Sequence, residues 1–391
     1  MHKPLRILMI VDLAWANRLG AIRVFAGLAE AWRLSGHTVE KYSLKEAYAK
    51  PARRRFVSLF RRLMFPWKAA VFVRQNRERF DVIESLLGAL PFPKQRLQFD
   101  GLVVARSVGF YQLYPELEKA AAGEQRRGKL LGRLFYSFFN RILRARSERA
   151  LRNCDLLNLP NEHELKCLRQ QGLTKPALVQ PYGLAGSQRR KLLQSAAPPV
   201  ERLSAKKVSC IGMWSPRKGA CDWRRIIDLV RAAVPDARFL FLGTFVEDRQ
   251  VLDDIGLGGA DFIELVTQYK PGQLPQLLGD STVGAFPSYA EAFGFGLLEQ
   301  LAARVPCVAY ASAGPRLSLE NDLPELLVPV GDVEKFAETL VRILSSERAE
   351  YKQLAKRSAE TAVRFDWATI AQETFEAYLA HLPAARAEMR P

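Results

Sequence analysis

The chain has 391 residues, 48% hydrophobic and 25% charged, which is enough to bury two ordinary cores and excludes wholesale disorder. No apolar run reaches the ~18 residues of a spanning helix, residues 1–11 lack the cleavage site of a secretory signal, and five cysteines at no paired spacing fit a reducing cytosol. The net charge of +17 is uneven: residues 1–200 carry 36 Lys+Arg against 15 Asp+Glu, while residues 201–391 carry 22 against 26.

In chain order, residues 5–11 (LRILMIV) read as a strand buried on both faces. A helical pattern over residues 21–34 ends at Ser35-Gly36-His37, and residues 38–42 read as the next strand. That is the opening unit of a doubly wound α/β domain. The densest basic stretch, residues 53–79, places Phe56, Leu59, Phe60, Leu63 and Met64 at helical spacing, with Pro66-Trp67 expected to interrupt it. A basic, aromatic amphipathic segment suits an anionic membrane surface, where each Lys or Arg contributes about 1 kcal/mol. The alternative is a core-facing helix with a solvated basic back. Further strands are expected at residues 82–84, 101–105 and 155–159, and helices at 130–151 and 162–171.

Pro181-Tyr182-Gly183 and the tract at residues 195–199 punctuate the chain, after which strand–helix alternation restarts. Strands are expected at residues 207–212, 238–242, 262–265, 283–286 and 306–310. Helices are expected at 223–233, 272–278, 295–303, 336–344, 350–365 and 370–381. The fold class is therefore α/β, with a first domain over residues 1–190 joined by a final helix at 367–391, and a second over 200–366. Ligands of such sheets sit at the carboxyl ends of the strands, so a cleft between the two domains is the expected site.

Residues 287–306 (PSYAEAFGFGLLEQLAARVP) carry the chemistry. Glu291 and Glu299 bracket Phe293-Gly294-Phe295-Gly296, which opens a helix. Backbone N–H groups and the dipole at a helix start attract phosphate, and glycine permits close approach. Glu299, further into the helix, suits the paired hydroxyls of a ribose, and Glu291, outside it, suits a sugar hydroxyl. Together they describe a cradle for a nucleoside-diphosphate sugar.

This segment resembles the E-x7-E motif of the family 4 glycosyltransferases, retaining enzymes of the GT-B fold. The resemblance extends to Gly20-Ala21-Ile22-Arg23, to residues 211–219 (IGMWSPRKG), to Pro181-Tyr182-Gly183, to residues 328–332 (VPVGD) and to Asp366-Trp367. It implies two Rossmann-like domains with the last helix crossing back to the first. It implies donor binding by Gly20, Arg217, Lys218, Phe293, Gly294, Phe295 and Glu299, with Glu291 catalytic. Arg106 and Ser107 become acceptor-side candidates. Three positions depart from the family pattern: Met213 replaces the usual arginine, Val108 stands where a histidine is usual, and the paired glycines of the N-terminal loop are reduced to Leu19-Gly20.

No cofactor is expected, because the nucleotide sugar is a substrate. No metal is expected either, since the chain has no Asp-x-Asp pair and its four histidines are scattered. Cationic side chains and the helix dipole would stabilise the leaving diphosphate. The expected partners are a nucleotide-sugar donor, a glycan or lipid-linked acceptor of cell-envelope or surface polysaccharide, and an anionic membrane surface on the cytoplasmic side. Three alternatives remain: a catalytically silent GT-B scaffold, a nucleotide-sugar epimerase, and a nucleic-acid binder. No recognisable nucleic-acid module accompanies the basic half, so nucleic acid is not an expected partner.

Overall fold

The computed structural model describes residues 3–15, 20–50, 55–114, 117 and 130–383. The chain divides into two compact units. The first comprises Met1–Val108, Gly128–Gly183 and Trp367–Pro391, and the second Gly109–Arg127 and Leu184–Asp366. Among the described residues, no helix is long and apolar enough to cross a membrane.

The first unit holds a six-stranded parallel sheet in the order β2-β1-β3-β4-β5-β6. Its strands are β1 (Arg6–Ile10), β2 (Thr38–Tyr42), β3 (Val82–Leu86), β4 (Leu102–Arg106), β5 (Leu156–Leu159) and β6 (Ala177–Val179). β3 and β4 are buried at every position, as strands covered by helices on both faces must be. The second unit repeats the architecture with order β12-β11-β10-β7-β8-β9. Its strands are β7 (Lys207–Ile211), β8 (Arg238–Leu242), β9 (Ile263–Val266), β10 (Val283–Phe286), β11 (Cys307–Tyr310) and β12 (Leu327–Val328).

The short edge strands β6 and β12 fall below what a hydrophobic pattern can reveal. So does the helix Ala313–Leu319, whose Gly314-Pro315 reads as a loop. Proline is tolerated there because the first-turn N–H groups have no intrahelical acceptor.

The final helix, Trp367–His381, lies on the first unit. The chain enters the second unit beside the point where it leaves it, as a parallel bridge pairs Leu184 with Asp366. A Cβ on Gly27 would stand 2.4 Å from the Trp367 ring, so only glycine lets the helix Gly20–Leu34 lie this close. Trp32 Nε1 donates to the Ala371 carbonyl at 2.9 Å, and Tyr378 Oη donates to Glu84 Oε2 at 2.9 Å.

That glutamate also carries the buried ion pair of the unit. Arg106, at the end of β4, is fully buried against Glu84 on the neighbouring strand. Burial pulls the Arg106 pKa down, but Glu84 outweighs it and keeps the guanidinium charged. Arg106 therefore stands as an internal ion-pair residue, with no surface through which to meet an acceptor as the sequence suggested. Ser107 is buried as well. Its hydroxyl donates to Glu164 Oε2 at 2.6 Å, and its carbonyl accepts from Tyr182 Oη at 2.7 Å.

The basic stretch corrects the sequence expectation. Arg55–Asn76 is one unbroken helix of 22 residues with Pro66 inside it. Proline has no N–H for the carbonyl four residues back, that of Arg62. Arg146, from the helix Leu130–Asn153, supplies the missing donor: its guanidinium donates to Arg62 O at 3.1 Å, and it donates to Leu63 O as well. The same guanidinium lies 5.3 Å from the Trp67 ring centroid. The apolar face is also rotated from the one expected. Phe65, Ala69 and Val73 are buried, whereas Phe56, Phe60, Met64, Trp67 and Val71 form an exposed stripe.

Replacing Arg146 by Met should leave the Arg62 carbonyl without its donor and destabilise the protein by about 1–3 kcal/mol. Adding Pro66→Ala should recover part of that loss, because the new N–H can reach Arg62 O. Urea midpoints of the single and double variants check the coupling; strictly additive effects would contradict it.

Candidate functional site

The second unit builds its site where β7, β8 and β10 end. Beyond β7 the chain turns through Gly212, whose N–H donates to Leu242 O at 3.0 Å, and Trp214 N–H donates to Thr244 O at 2.9 Å. A short 3-10 turn, Pro216–Lys218, then presents the two cations. Gly219 follows at φ +79°, and a Cβ there would stand 2.2 Å from the Pro287 carbonyl. The close approach of this loop to the one after β10 thus requires glycine. The hollow between the loops is lined in part by Gly212, Ser215, Lys218, Phe286 and Ser288.

The loop after β10 runs to Gly294, which caps the helix Phe295–Ala302 in a left-handed conformation at φ +102°. Gly296 in its first turn allows the helix start to sit on β7: a Cβ there would be 2.8 Å from the Ile211 carbonyl. Phe293 is buried and meets Phe295 and Phe365 edge-on, each at 5.5 Å between centroids. The aromatic pair around Gly294 therefore anchors the helix start.

Glu291 lies in a cage of positive charge. Its Oε2 accepts from Lys218 Nζ, and Arg217 Nη1 approaches it at 3.3 Å. Arg217 also donates to the Ala290 carbonyl at 2.8 Å, while its own carbonyl accepts from Tyr289 N–H at 3.0 Å. Gly314 N–H closes the far side onto the Glu291 carbonyl at 2.8 Å. Burial pushes the Glu291 carboxyl up, but Lys218 and Arg217 outweigh it and hold the group below its ordinary value. Lys218 is itself lowered, first by burial and then by Arg217, against the pull of Glu291. Cys210, next to Lys218, has its thiol pushed up to about 12 by burial, so it is no nucleophile at neutral pH.

Glu299 sits in the helix Phe295–Ala302 and is buried; its Oε1 accepts from Gln188 Nε2 at 3.0 Å. The structure thus gathers Arg217, Lys218, Glu291, Phe293, Gly294, Phe295 and Glu299 in the second unit. Gly20, Arg106 and Ser107 belong to the first. Gly20 opens the helix Gly20–Leu34, and a Cβ on it would meet nothing within 4 Å, so no neighbour among the described residues demands glycine there. Met213, at the position of the family's arginine, is largely exposed.

Two features escaped the sequence reading. One is Gln188, whose helix Gly186–Gln194 carries no motif. The other is buried Asp222, which accepts from Tyr289 Oη at 3.1 Å and from Tyr310 Oη at 2.7 Å. Its carboxyl is raised, chiefly by burial. Only the tyrosine of the PSYAE segment hinted at this contact.

The charge cage has a pH signature. The folded pKa of Glu291 lies below its unfolded value, so its ionised form adds stability above the ordinary carboxylate range. That contribution is lost as pH falls through the lowered folded value. Lys218 stays protonated throughout this acid window. Unfolding midpoints followed from about pH 7 down to about pH 3 should show an acid loss in the natural protein that is much smaller in Lys218→Met and Glu291→Gln. Equal acid limbs in all three would show that the pair does not set this carboxylate.

Residues 205–346 match the family Glycosyl transferases group 1. A D-inositol 3-phosphate glycosyltransferase of Mycobacteroides abscessus is 29% identical over 171 residues, 42% of this chain and 38% of that protein. A phosphatidyl-myo-inositol mannosyltransferase of Mycobacterium leprae is 26% identical over 247 residues, 63% of each chain. The matches thus span less than two thirds of these relatives. Among solved structures, sucrose-phosphate synthase from Thermosynechococcus elongatus superposes with a TM-score of 0.72 at 18% identity, over 96% of this chain and 98% of that one. The chain has the GT-B fold, with two parallel six-stranded sheets, and the match of residues 205–346 to the Glycosyl transferases group 1 family falls in its second unit, in keeping with the family 4 resemblance.

Proposed function

We propose that the protein is a retaining glycosyltransferase that moves a sugar from a nucleoside-diphosphate donor to a lipid-linked glycan acceptor of the cell envelope, working at the cytoplasmic face of the membrane. The observation that carries this reading is the cluster of Arg217, Lys218 and Glu291 beside the glycine-capped start of the helix Phe295–Ala302.

A diphosphate entering this cluster competes with Glu291 for the two cations. Lys218 and Arg217 take the phosphate oxygens, and the helix start adds its dipole. Glu291, released from part of its charge pairing, accepts a hydrogen bond from a sugar hydroxyl. Glu299 exchanges Gln188 for the ribose hydroxyls, with Phe293, Gly294 and Phe295 fixing the loop between the two acids. As the sugar–phosphate bond breaks, negative charge grows on the departing diphosphate. The preorganised cations meet that charge without a metal. The acceptor hydroxyl attacks from the same face, and its proton passes to the leaving phosphate, which gives retention.

The membrane part rests on the helix Arg55–Asn76. Its stripe of Phe56, Phe60, Met64, Trp67 and Val71 faces outward, and the surrounding half of the chain is strongly basic. Apolar side chains entering the headgroup region and cations meeting anionic lipid describe an interfacial helix.

Two measurements test the two parts. Glu299→Ala should lose about 1.5–3 kcal/mol of donor affinity, roughly tenfold to a hundredfold, by calorimetry across a panel of nucleotide sugars. Unchanged binding would remove Glu299 from the donor site. Co-sedimentation with liposomes should rise with anionic lipid, fall with salt, and drop in a Phe60→Ser, Trp67→Ser variant. Indifference to all three would leave the stripe an ordinary surface.

A further inference from the structure

We infer that Tyr114 is a positioning residue for Glu291: its ring, carried on the segment that follows β4, sets the loop that aims this carboxylate. The inference rests on the proposed role of Glu291 and adds to it a residue that no family motif marks.

The placement is unexpected from the chain order. β4 ends at Arg106 in the first unit, yet from Gly109 the chain belongs to the second unit. A short 3-10 turn, Tyr111–Leu113, follows, with Leu113 N–H donating to Phe110 O at 2.9 Å. Leu117 N–H donates to Tyr114 O at 3.2 Å, which fixes the backbone around the tyrosine.

Tyr114 is 3% exposed and packs on Ala290 and Ala292, the two residues that flank Glu291. Leu113, Leu117 and Ala313 complete this small core. Ala290 and Ala292 thus share one side of the loop while Glu291 faces Lys218 and Arg217. The backbone bends at Tyr289, Ala290, Ala292 and Phe293, so a ring lying against both alanines sets the course of this loop and with it the direction of the glutamate between them. The two flanking side chains are methyl groups, small enough for a ring to lie against the loop. Hydrogen bonds from Arg217 and Gly314 hold the loop's carbonyls. The Tyr114 ring supplies the apolar contact on its alanine side.

The division of labour follows. Lys218 grips a diphosphate from the loop after β7, whereas Arg217, bonded to the Ala290 carbonyl, is tied to the loop on which Tyr114 packs. Glu291 acts on the sugar, from the loop that Tyr114 does support. Removing the ring should therefore loosen the sugar contact more than the nucleotide grip, which keeps Lys218. The contact with the two alanines is an apolar one, which a phenylalanine ring can also make.

The experiment compares Tyr114→Ala, Tyr114→Leu and Tyr114→Phe with the natural protein. Three quantities are read: kcat for nucleotide-sugar turnover (hydrolysis suffices, so no acceptor is needed), the dissociation constant for nucleoside diphosphate, and the titration of the Glu291 carboxyl by carbon NMR, assigned through Glu291→Gln. In Tyr114→Ala, kcat should fall between about tenfold and a hundredfold, as for a misplaced group, with a much smaller change in diphosphate affinity. The Glu291 carboxyl should also titrate at higher pH as its cage loosens. Tyr114→Phe should restore all three to natural values, and Tyr114→Leu should fall between, serving as the test if the alanine variant does not fold. A parallel loss of kcat, diphosphate affinity and melting temperature that phenylalanine does not rescue would overturn the inference, as would unaltered kcat and an unaltered Glu291 titration. Should the natural protein turn over no nucleotide sugar, the proposed function fails. The Glu291 titration in the Tyr114 variants then still decides whether the ring positions the carboxylate.

Discussion

The site depends on one buried carboxylate held between two cations. Glu291 could not stay ionised at its depth without Lys218 and Arg217, and burial alone would push its pKa up and that of Lys218 down. A paired buried charge is tolerable, whereas a half-pair leaves an uncompensated ion. The arrangement is therefore held by its own pairing, and it keeps positive charge at the place where the proposed donor would bring its diphosphate. The counter-ion is a side chain of the loop that is proposed to touch the sugar, so charge exchange at the phosphates and placement at the sugar become one event.

Backbone proximity makes that cage possible. Gly219 lies against Pro287, Gly296 against the end of β7, and Gly314 against Phe293, with hypothetical Cβ atoms 2.2–2.8 Å from backbone oxygen. Each contact ties a neighbour to the β10 loop or to the helix that follows it. Parallel strands bring these loops to the same edge of the sheet, since every strand of βα units ends there. The glycines then remove the last few ångströms of separation. A cation on the β7 loop and a carboxylate on the β10 loop, 73 positions apart in sequence for Lys218, can thus share a hydrogen bond.

What the sequence disclosed follows from the range of the forces involved. The strand–helix alternation was legible because burial on two faces writes itself as local apolar runs, as in residues 5–11 and 283–286. The two acids around Phe293-Gly294-Phe295 were legible because a helix start and its flanks are local in the chain. Partners that meet only through the fold were not. Glu84 and Arg106 sit on adjacent strands 22 residues apart, and nothing local announces that the arginine is neutralised internally. Gln188 reaches Glu299 across 111 residues. Pro66 read as a break because the donor that replaces its missing N–H comes from Arg146, 84 residues from the carbonyl it satisfies.

The same distinction refines the meaning of the basic half. A formal charge counts every arginine equally, but the fold does not. Arg6 pairs with Asp81, Arg62 with Asp12, Arg79 with Glu40 and Lys94 with Asp155, and Arg106 is buried on Glu84. Acids that are few in number are placed against these bases, so part of the excess is spent inside the unit and cannot steer anything outside it. The proposed attraction to an anionic surface would then rest on the remaining charges, and charge alone would give a loose, salt-sensitive encounter. The exposed stripe from Phe56 to Val71 changes that balance. Apolar burial is not screened by salt, so a helix that offers both terms can hold at ionic strengths where the charges alone would let go.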